Sequence, residues 1–420
     1  MKFKFLYLCG LLLVAARAPG HAQQIVCERL LTTPGLEMTW PTACTAPNGE
    51  FIVTGAARMV GTTGLALATH TFVARLSATG CDTLWTRRLP HSVPYYSVSA
   101  VRADAHGIWL LTPDTVNTVT SPPPFRGVRL WRLTTGGRVR RVVRPVARSV
   151  SESPINLLTT SDGGLFVQVQ NTYRGGGFLS PSVLRFDSTA ALRWRRDYGM
   201  AGNSRAVSLC YTPAGKVLFT GMIGLGTNYD SHARVMEIEP SRGDSLHGIT
   251  LPWGPGVLED LSARYNSRPL DAIALTSNGY ALLSVVNTTQ ATRNTRGQLT
   301  RIDANYNVLW RYQLPVYSSG GNYLEFTQVR ELADGTLLAL VRPFIHERTF
   351  WLYRFNAATG TLLNVYPFTS AFGTVQLYPS HLLPVAADSS LVVVGGSRPN
   401  STNQVGPIYV ARLRVPGLLR

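Results

Sequence analysis

Two short pairs in this chain set an acid beside an imidazole: Asp230 with His232, and His346 with Glu347. Carboxylates and imidazoles are zinc-type ligands, so the pairs could share a metal if the fold brought them to one axis. Apart, they are ordinary loop residues. Tyr95, Tyr96, Tyr173, Arg174, Asn228 and Tyr229 add aromatic rings and hydrogen-bonding groups, a mix suited to a sugar or a peptide. The Gly-rich stretch Tyr173 to Phe178 is not followed by the helix that a phosphate cradle requires. No Ser, His and Asp set can be chosen, because a triad is defined by geometry and not by order along the chain.

The formal charge is +17 and almost all of the positive charge is arginine. Such a balance favours acidic partners, or it is solvated surface. Arg138, Arg140, Arg141, Arg144 and Arg148 form the densest basic run and would make a stripe on an outer strand. Nucleic-acid binding also needs a recognition element or a stacking platform, and neither is visible, so that partner is disfavoured.

Residues 1–22 read as an export signal: Lys2 and Lys4, an apolar run from Phe5 to Ala16, then Gly20-His21-Ala22 before the cut. The run is too short to span a membrane comfortably, and no later stretch is long enough. Without residues 1–22 the charge falls to +14, and Lys216 is the one lysine left. Residues 23–420 are expected to form one domain in the periplasm, outside the cell or on its outer surface. Cys27, Cys44, Cys81 and Cys210 then meet an oxidising compartment. Pairing of Cys44 with Cys27 or Cys81 is the preferred expectation, since all three lie near the first repeat, with Cys210 as a buried thiol.

The elements that must position these residues are repeats. Polar turns that end in Gly recur at Gly49, Gly107, Gly163, Gly215, Gly279 and Gly335, with a degenerate seventh at Ala387-Asp388-Ser389. Each is followed by a strongly apolar strand such as Phe51-Ile52-Val53 or Ile108-Trp109-Leu110-Leu111. A second hairpin follows, clearest in Arg296 to Pro315, where Asp303 to Asn307 turn the chain and Trp310 lies in the outer strand. Trp85, Trp194 and Trp310 hold one equivalent place, which predicts packing between neighbouring units. Asp187 and Asp303 also recur at one place, where an Asp can hydrogen-bond its own turn.

Seven such units predict an all-β, seven-bladed β-propeller of four-stranded antiparallel blades. The last unit lacks an outer strand and Gln24 to Leu31 is a spare one, so it is expected to pair beside Ile408 to Leu413 and close the ring. The units differ most between their second and third strands, for example Arg58 to His70 and Met222 to His232. In a propeller those loops share one face with the connections between blades, and binding usually sits on such loops. The starts of the first strands offer mainly Ser, Thr, Ala and apolar residues, which argues mildly against an enzyme.

The phrase from Arg301 to Trp310, with its relatives at Arg75 to Trp85 and Arg185 to Trp194, resembles the repeat of bacterial exported propellers. Ser161-Asp162-Gly163-Gly164 and Leu218-Phe219-Thr220-Gly221 are similar to the delta-60 type, and Gly80 to Trp85 to the quinoprotein-like type. The resemblance implies a secreted or surface propeller; none of the quinoprotein cofactor contacts can be carried onto positions here, and the cofactor stays open. The expectation is a binding or scaffold module for a glycan, a peptide or an envelope protein. The alternative is an exported polysaccharide hydrolase or lyase, or a quinone- or metal-dependent dehydrogenase.

Overall fold

The computed structural model describes residues 23–32, 36–60, 66–91, 100–116, 125–145, 150–173, 179–199, 204–225, 230–251, 269–287, 295–315, 323–343, 347–373, 375–385, 388, 390–399, 406–415 and 418. They form seven four-stranded antiparallel sheets. Residues 1–22, read above as an export signal, lie outside this set. The first strands of the seven sheets are Leu36–Thr45, Ala100–Asp104, Val150–Thr159, Ser204–Tyr211, Pro269–Ala274, Leu324–Glu331 and Val375–Pro384. Each contacts the first strands of the sheets on either side, and the seventh contacts the first, so these strands surround the axis. The sheets are the blades of a closed propeller.

Closure follows the expected route. Gln24–Leu31 is the outer strand of blade 7 and pairs antiparallel with Ile408–Arg414, from Gln24 opposite Arg414 to Leu31 opposite Ile408. The core is a set of apolar clusters, most of them shared by adjacent blades. One joins Phe51, Val53 and Ala74 of blade 1 to Val392, Val394 and Val410 of blade 7. Period-2 alternation supplies them: each middle strand is covered on both sides by neighbouring blades and so reads as a continuous apolar run.

The end of the disc that carries the hairpin turns is built from repeated parts. The residue before the last apolar position of every third strand is basic in six blades and reaches the first turn of its own blade. The pairs are Arg75 with Glu50, Arg132 with Asp104, Arg185 with Asp162, Arg354 with Asp334 and Arg412 with Asp388. In blade 5, Arg301 donates to Ser277 Oγ at 3.3 Å instead. Blade 4 reverses the charges: Lys216 Nζ donates to Glu237 Oε2 at 3.2 Å. The one lysine outside residues 1–22 thus stands where the other blades carry an acid or a neutral turn residue.

The recurrent tryptophans pack between blades as expected. Trp85 Nε1 donates to Thr135 O at 3.2 Å, Trp194 Nε1 to Pro240 O at 3.2 Å, and Trp310 Nε1 to Ala357 O at 3.0 Å. Odd blades 1, 3 and 5 are thereby stitched to the second turn of blades 2, 4 and 6. The indole lies flat on a turn glycine: a Cβ on Gly360 would sit 2.6 Å from Trp310. In the odd blades 3 and 5 that second turn has no glycine, and Ala190 and Tyr306 take positive φ. Asp187 and Asp303 occur in these two turns. Asp187 Oδ1 accepts from Thr189 N and Ala191 N, and Asp303 Oδ1 from Asn305 N and Asn307 N. These bonds offset the roughly 1–2 kcal/mol that a left-handed residue with a side chain costs.

The cysteines correct the sequence expectation. Cys27 is bonded to Cys81, and Cys44 is a buried thiol. Cys27 stands opposite Arg412, the place that Trp85 takes opposite Arg75. Cys81 lies in the second turn of blade 1. The bridge therefore replaces the Trp–turn stitch at the junction of blades 7 and 1. Cys44 points into the packing between blades 1 and 2, beside Ile52, Val101 and Ile108, and cannot reach the outer strand. Burial pushes its thiol up to about 12. Cys210 is a thiol too, half-buried rather than buried.

Candidate functional site

The connections between the second and third strands, and those between blades, emerge together at the opposite end. The backbone at Tyr173 closes the strand Leu165–Tyr173, and Asp230 and His232 lie at the start of Asp230–Ile238. Glu347 precedes Thr349–Asn356. All four are at the loop end of their blades. Tyr95, Tyr96, Arg174, Asn228, Tyr229 and His346 lie outside the described residues. The two acid–imidazole pairs belong to different blades, 4 and 6. Among the described residues no group of three or more His, Cys, Asp or Glu could hold a metal ion. Glu347 has a structural contact: its carbonyl accepts from Leu377 N at 3.1 Å and ties blade 6 to blade 7. The expected insertion from Arg58 to His70 is partly strand, since Phe51–Val60 and Ala66–Leu76 extend into it.

The loop end also holds polar networks, and no two are alike. In blade 3, Glu152 is fully buried and pairs with Arg195, whose Nη2 donates to Asn171 Oδ1 at 3.2 Å. Burial raises the Glu152 carboxyl above its ordinary range against the pull of Arg195, and its Oε2 has no partner among the described residues. In blade 2, buried Asp114 takes both Arg129 and the exposed Arg144, the latter at 2.8 Å. Arg129 Nη1 also donates to Pro90 O of blade 1 at 3.2 Å. In blade 6, Glu325 pairs with Arg342, whose guanidinium lies 5.6 Å from the ring centroid of Tyr378 in blade 7. Arg138, Arg140, Arg141 and Arg144 of the basic run fall at and around the outermost strand of blade 2, Val139–Val143; Arg148 lies outside the described residues.

The axis holds a third set of groups. Six of the seven inner strands carry a bulge in the middle. The residue after it is Thr42, Asn156, Ser208, Asp271, Gln328 or His381. Two residues on, at one level nearer the turns, stand Cys44, Leu158, Cys210, Ile273, Arg330 and Leu383. Blade 2 has no bulge in its short inner strand, and its register places Arg102 at the level of Arg330. Thus Arg102, Asp271, Arg330 and His381, from four blades, share the channel. All four are half-buried, so water reaches them.

Their contacts run between blades. His381 Nε2 hydrogen-bonds with Thr42 Oγ1 at 3.2 Å, and Nδ1 with Ser380 Oγ at 2.9 Å. Arg102 Nη2 donates to Asn156 Oδ1 at 3.1 Å, and Arg330 Nε to Leu382 O at 3.4 Å. Ser208 Oγ donates to Asp271 Oδ1 at 3.5 Å. Burial, with Arg102 and Arg330 adding to it, pushes the His381 imidazole down to about 3, so it is neutral at neutral pH. Burial raises the Asp271 carboxyl, and Arg330 opposes that rise. Burial lowers the Arg102 guanidinium.

Sequence reasoning looked for axial chemistry at the strand starts and found none; the titratable groups sit at and beyond the bulges. A signal was present. Thr42, Asn156, Ser208 and Gln328 each stand seven residues before the glycine of their first turn. Aligning the inner strands on that turn position, Gly279 in blade 5 and Ser389 in place of the glycine in blade 7, brings Asp271 and His381 within one residue of the same column.

No protein-family model matches the chain, and no curated protein matches it. The likeness is to solved structures. A protein of unknown function from Dyadobacter fermentans superposes with a TM-score of 0.51 at 10% identity, over 94% of this chain and 99% of that one. The NanB sialidase from Streptococcus pneumoniae gives 0.48 at 8% identity, over 94% of this chain and 71% of that one. The α-L-arabinanase of Penicillium chrysogenum gives 0.46 at 12% identity, over 91% and 94%. At these identities the likeness shows the fold alone.

Proposed function

We propose that this chain is an exported binding module that takes a glycan, a peptide or an envelope protein on the loop-bearing face of its disc. One observation supports the reading above all: one end of the molecule repeats the same clamp and stitch from blade to blade, while at the loop end blades 2, 3 and 6 each carry a buried ion pair of their own geometry. A purely structural ring has no need of that asymmetry. The delta-60-like phrase and the leader-like residues 1–22 agree with export.

The test is binding of residues 23–420 to glycan and peptide arrays and to solubilised envelope proteins. The expected result is an enriched partner whose binding falls at least tenfold in Arg144→Ala or Arg342→Ala and is unchanged in Arg242→Ala. Arg242 is an exposed residue of the turn end. No enriched partner in any arm would sink the reading. A second reading, an enzyme acting on polysaccharide, is favoured by one observation: a carboxyl held above its ordinary range and a neutral imidazole, on blades 5 and 7, both line the axial channel. Hydrolysis of a glycan that fails in both Asp271→Asn and His381→Gln would move the assignment to it.

A further inference from the structure

Four ionisable groups meet in the axial channel, and their charges do not cancel. Arg102 and Arg330 stand at one level on opposite sides of the closure between blades 7 and 1. Asp271 is one level nearer the loops, on blade 5. His381 is neutral, and both of its ring nitrogens are engaged by hydroxyls. With Asp271 ionised the set carries one net positive charge, and with Asp271 protonated it carries two.

The hydrogen bonds leave part of that charge unanswered. Arg330 is held by Nε alone, through the carbonyl of Leu382. Its terminal nitrogens have no partner among the described residues, and they are not sealed from water. Arg102 uses its terminal nitrogens on the Val101 carbonyl, at 2.9 Å, and on the Asn156 amide oxygen. Both acceptors are neutral. Neither guanidinium forms an ion pair within 4 Å among the described residues, whereas most arginines of the turn end do. Two guanidinium groups that face one channel repel each other, and a bound anion removes that repulsion. A narrow channel in low-dielectric walls strengthens the attraction. Guanidinium forks match the two oxygens of a carboxylate.

We infer that the axial channel is an anion site, in which Arg330 and Arg102 hold a small monoanion or a single carboxylate group at the level just below Asp271. Asp271 limits the affinity by supplying a competing negative charge, and Asn156 and Leu382 fix the two guanidinium groups. The site goes beyond the proposed role of the loop face, and it stands whether or not that face binds a partner. The carboxylate has two sources: a free small anion, or an acidic sugar or peptide terminus reaching in from the loop end.

The test is chloride-35 NMR on residues 23–420, with the line width of chloride read at fixed protein concentration. The wild type is expected to broaden the line, and Arg330→Gln and Arg102→Gln to lose at least four-fifths of that broadening. Arg138→Gln, an exposed control, should keep it. Asp271→Asn should broaden the line more than the wild type, the opposite direction from the two arginine variants. Displacement by acetate but not by trigalacturonate assigns a free anion; displacement by both assigns the carboxylate of a larger chain. Equal broadening in the wild type, Arg330→Gln and Arg102→Gln would overturn the site. If those variants do not fold, wild-type crystals soaked in bromide decide. Anomalous density beside Arg330 supports the site, and density only at surface arginines overturns it.

Discussion

The two ends of this disc solve different problems with the same residue types. At the turn end, arginine and a carboxylate meet at the same place in five blades, a sixth blade reverses the charges, and a seventh uses neutral acceptors. At the loop end, arginine meets Glu152 in blade 3, Asp114 in blade 2 and Glu325 in blade 6, each in its own geometry. Repetition marks parts that hold a ring together, because every junction needs the same bond. Individual networks mark parts that distinguish one blade from another.

The largest expected effect comes from the junction that is stitched covalently. Cys81→Ser should lower stability by about 4 kcal/mol on the loop-entropy estimate for a bridge of this span, measured as the denaturant midpoint without reductant. A change under about 1 kcal/mol would show that strand pairing alone closes the ring.

A pair of glycines sharpens the contrast inside the turn end. Gly360 and Gly335 have nearly the same positive φ, but a Cβ would meet Trp310 only at Gly360. Gly335→Ala should cost about 1 kcal/mol from backbone strain, and Gly360→Ala about 1–3 kcal/mol more from overpacking. Equal losses would mean that the indole contact contributes nothing.

The clamp comes next. Arg354→Glu should cost about 2 kcal/mol by placing two acids together, and Asp334→Arg in the same chain should restore most of it. Blade 4 carries a reversed pair of its own, Glu237 in the third strand with Lys216 just after the turn glycine. Thermal melting of the two single variants and the double variant reads the coupling.

The axial histidine gives a pH signature. His381 is held well below its ordinary pKa in the fold, so between about pH 6.5 and 3 the unfolded chain binds a proton that the folded chain does not. Stability should therefore fall as pH drops through that window, by up to about 1.4 kcal/mol per pH unit. His381→Gln should remove that component, read from urea midpoints at a series of pH values. The smallest effect belongs to the loop end: Arg144→Ala should change stability by less than about 0.5 kcal/mol, because the side chain is 66% exposed.

Much of the architecture was legible in the sequence because it repeats. Gly-ended turns, the Trp85, Trp194 and Trp310 column and the spare strand Gln24–Leu31 are enough for seven blades and their closure. The disulfide was not legible, because nearness in sequence says nothing about which face of a strand a thiol takes. Cys44 lies inside a blade interface, while Cys27 lies on an outer strand beside the turn of Cys81. The axial set was hidden for a related reason. A bulge shifts the register by one residue and so moves Asp271 and His381 out of the period-2 pattern that identifies the face of a strand. Of the loop-face residues, Tyr173, Asp230, His232 and Glu347 fall at the expected end of their blades; the loops that bear the others lie outside the described residues.

The bridge between Cys27 and Cys81 also bears on the order of assembly. Both cysteines belong to the early part of the chain, yet the strand that carries Cys27 finds its hydrogen-bonding partner only in Ile408–Arg414. Where the bridge forms before the ring closes, that strand is moored to blade 1 with one edge vacant. Ile408–Arg414 then meets a prepared berth at a known place, and a pairing between strands far apart in sequence becomes a local docking event.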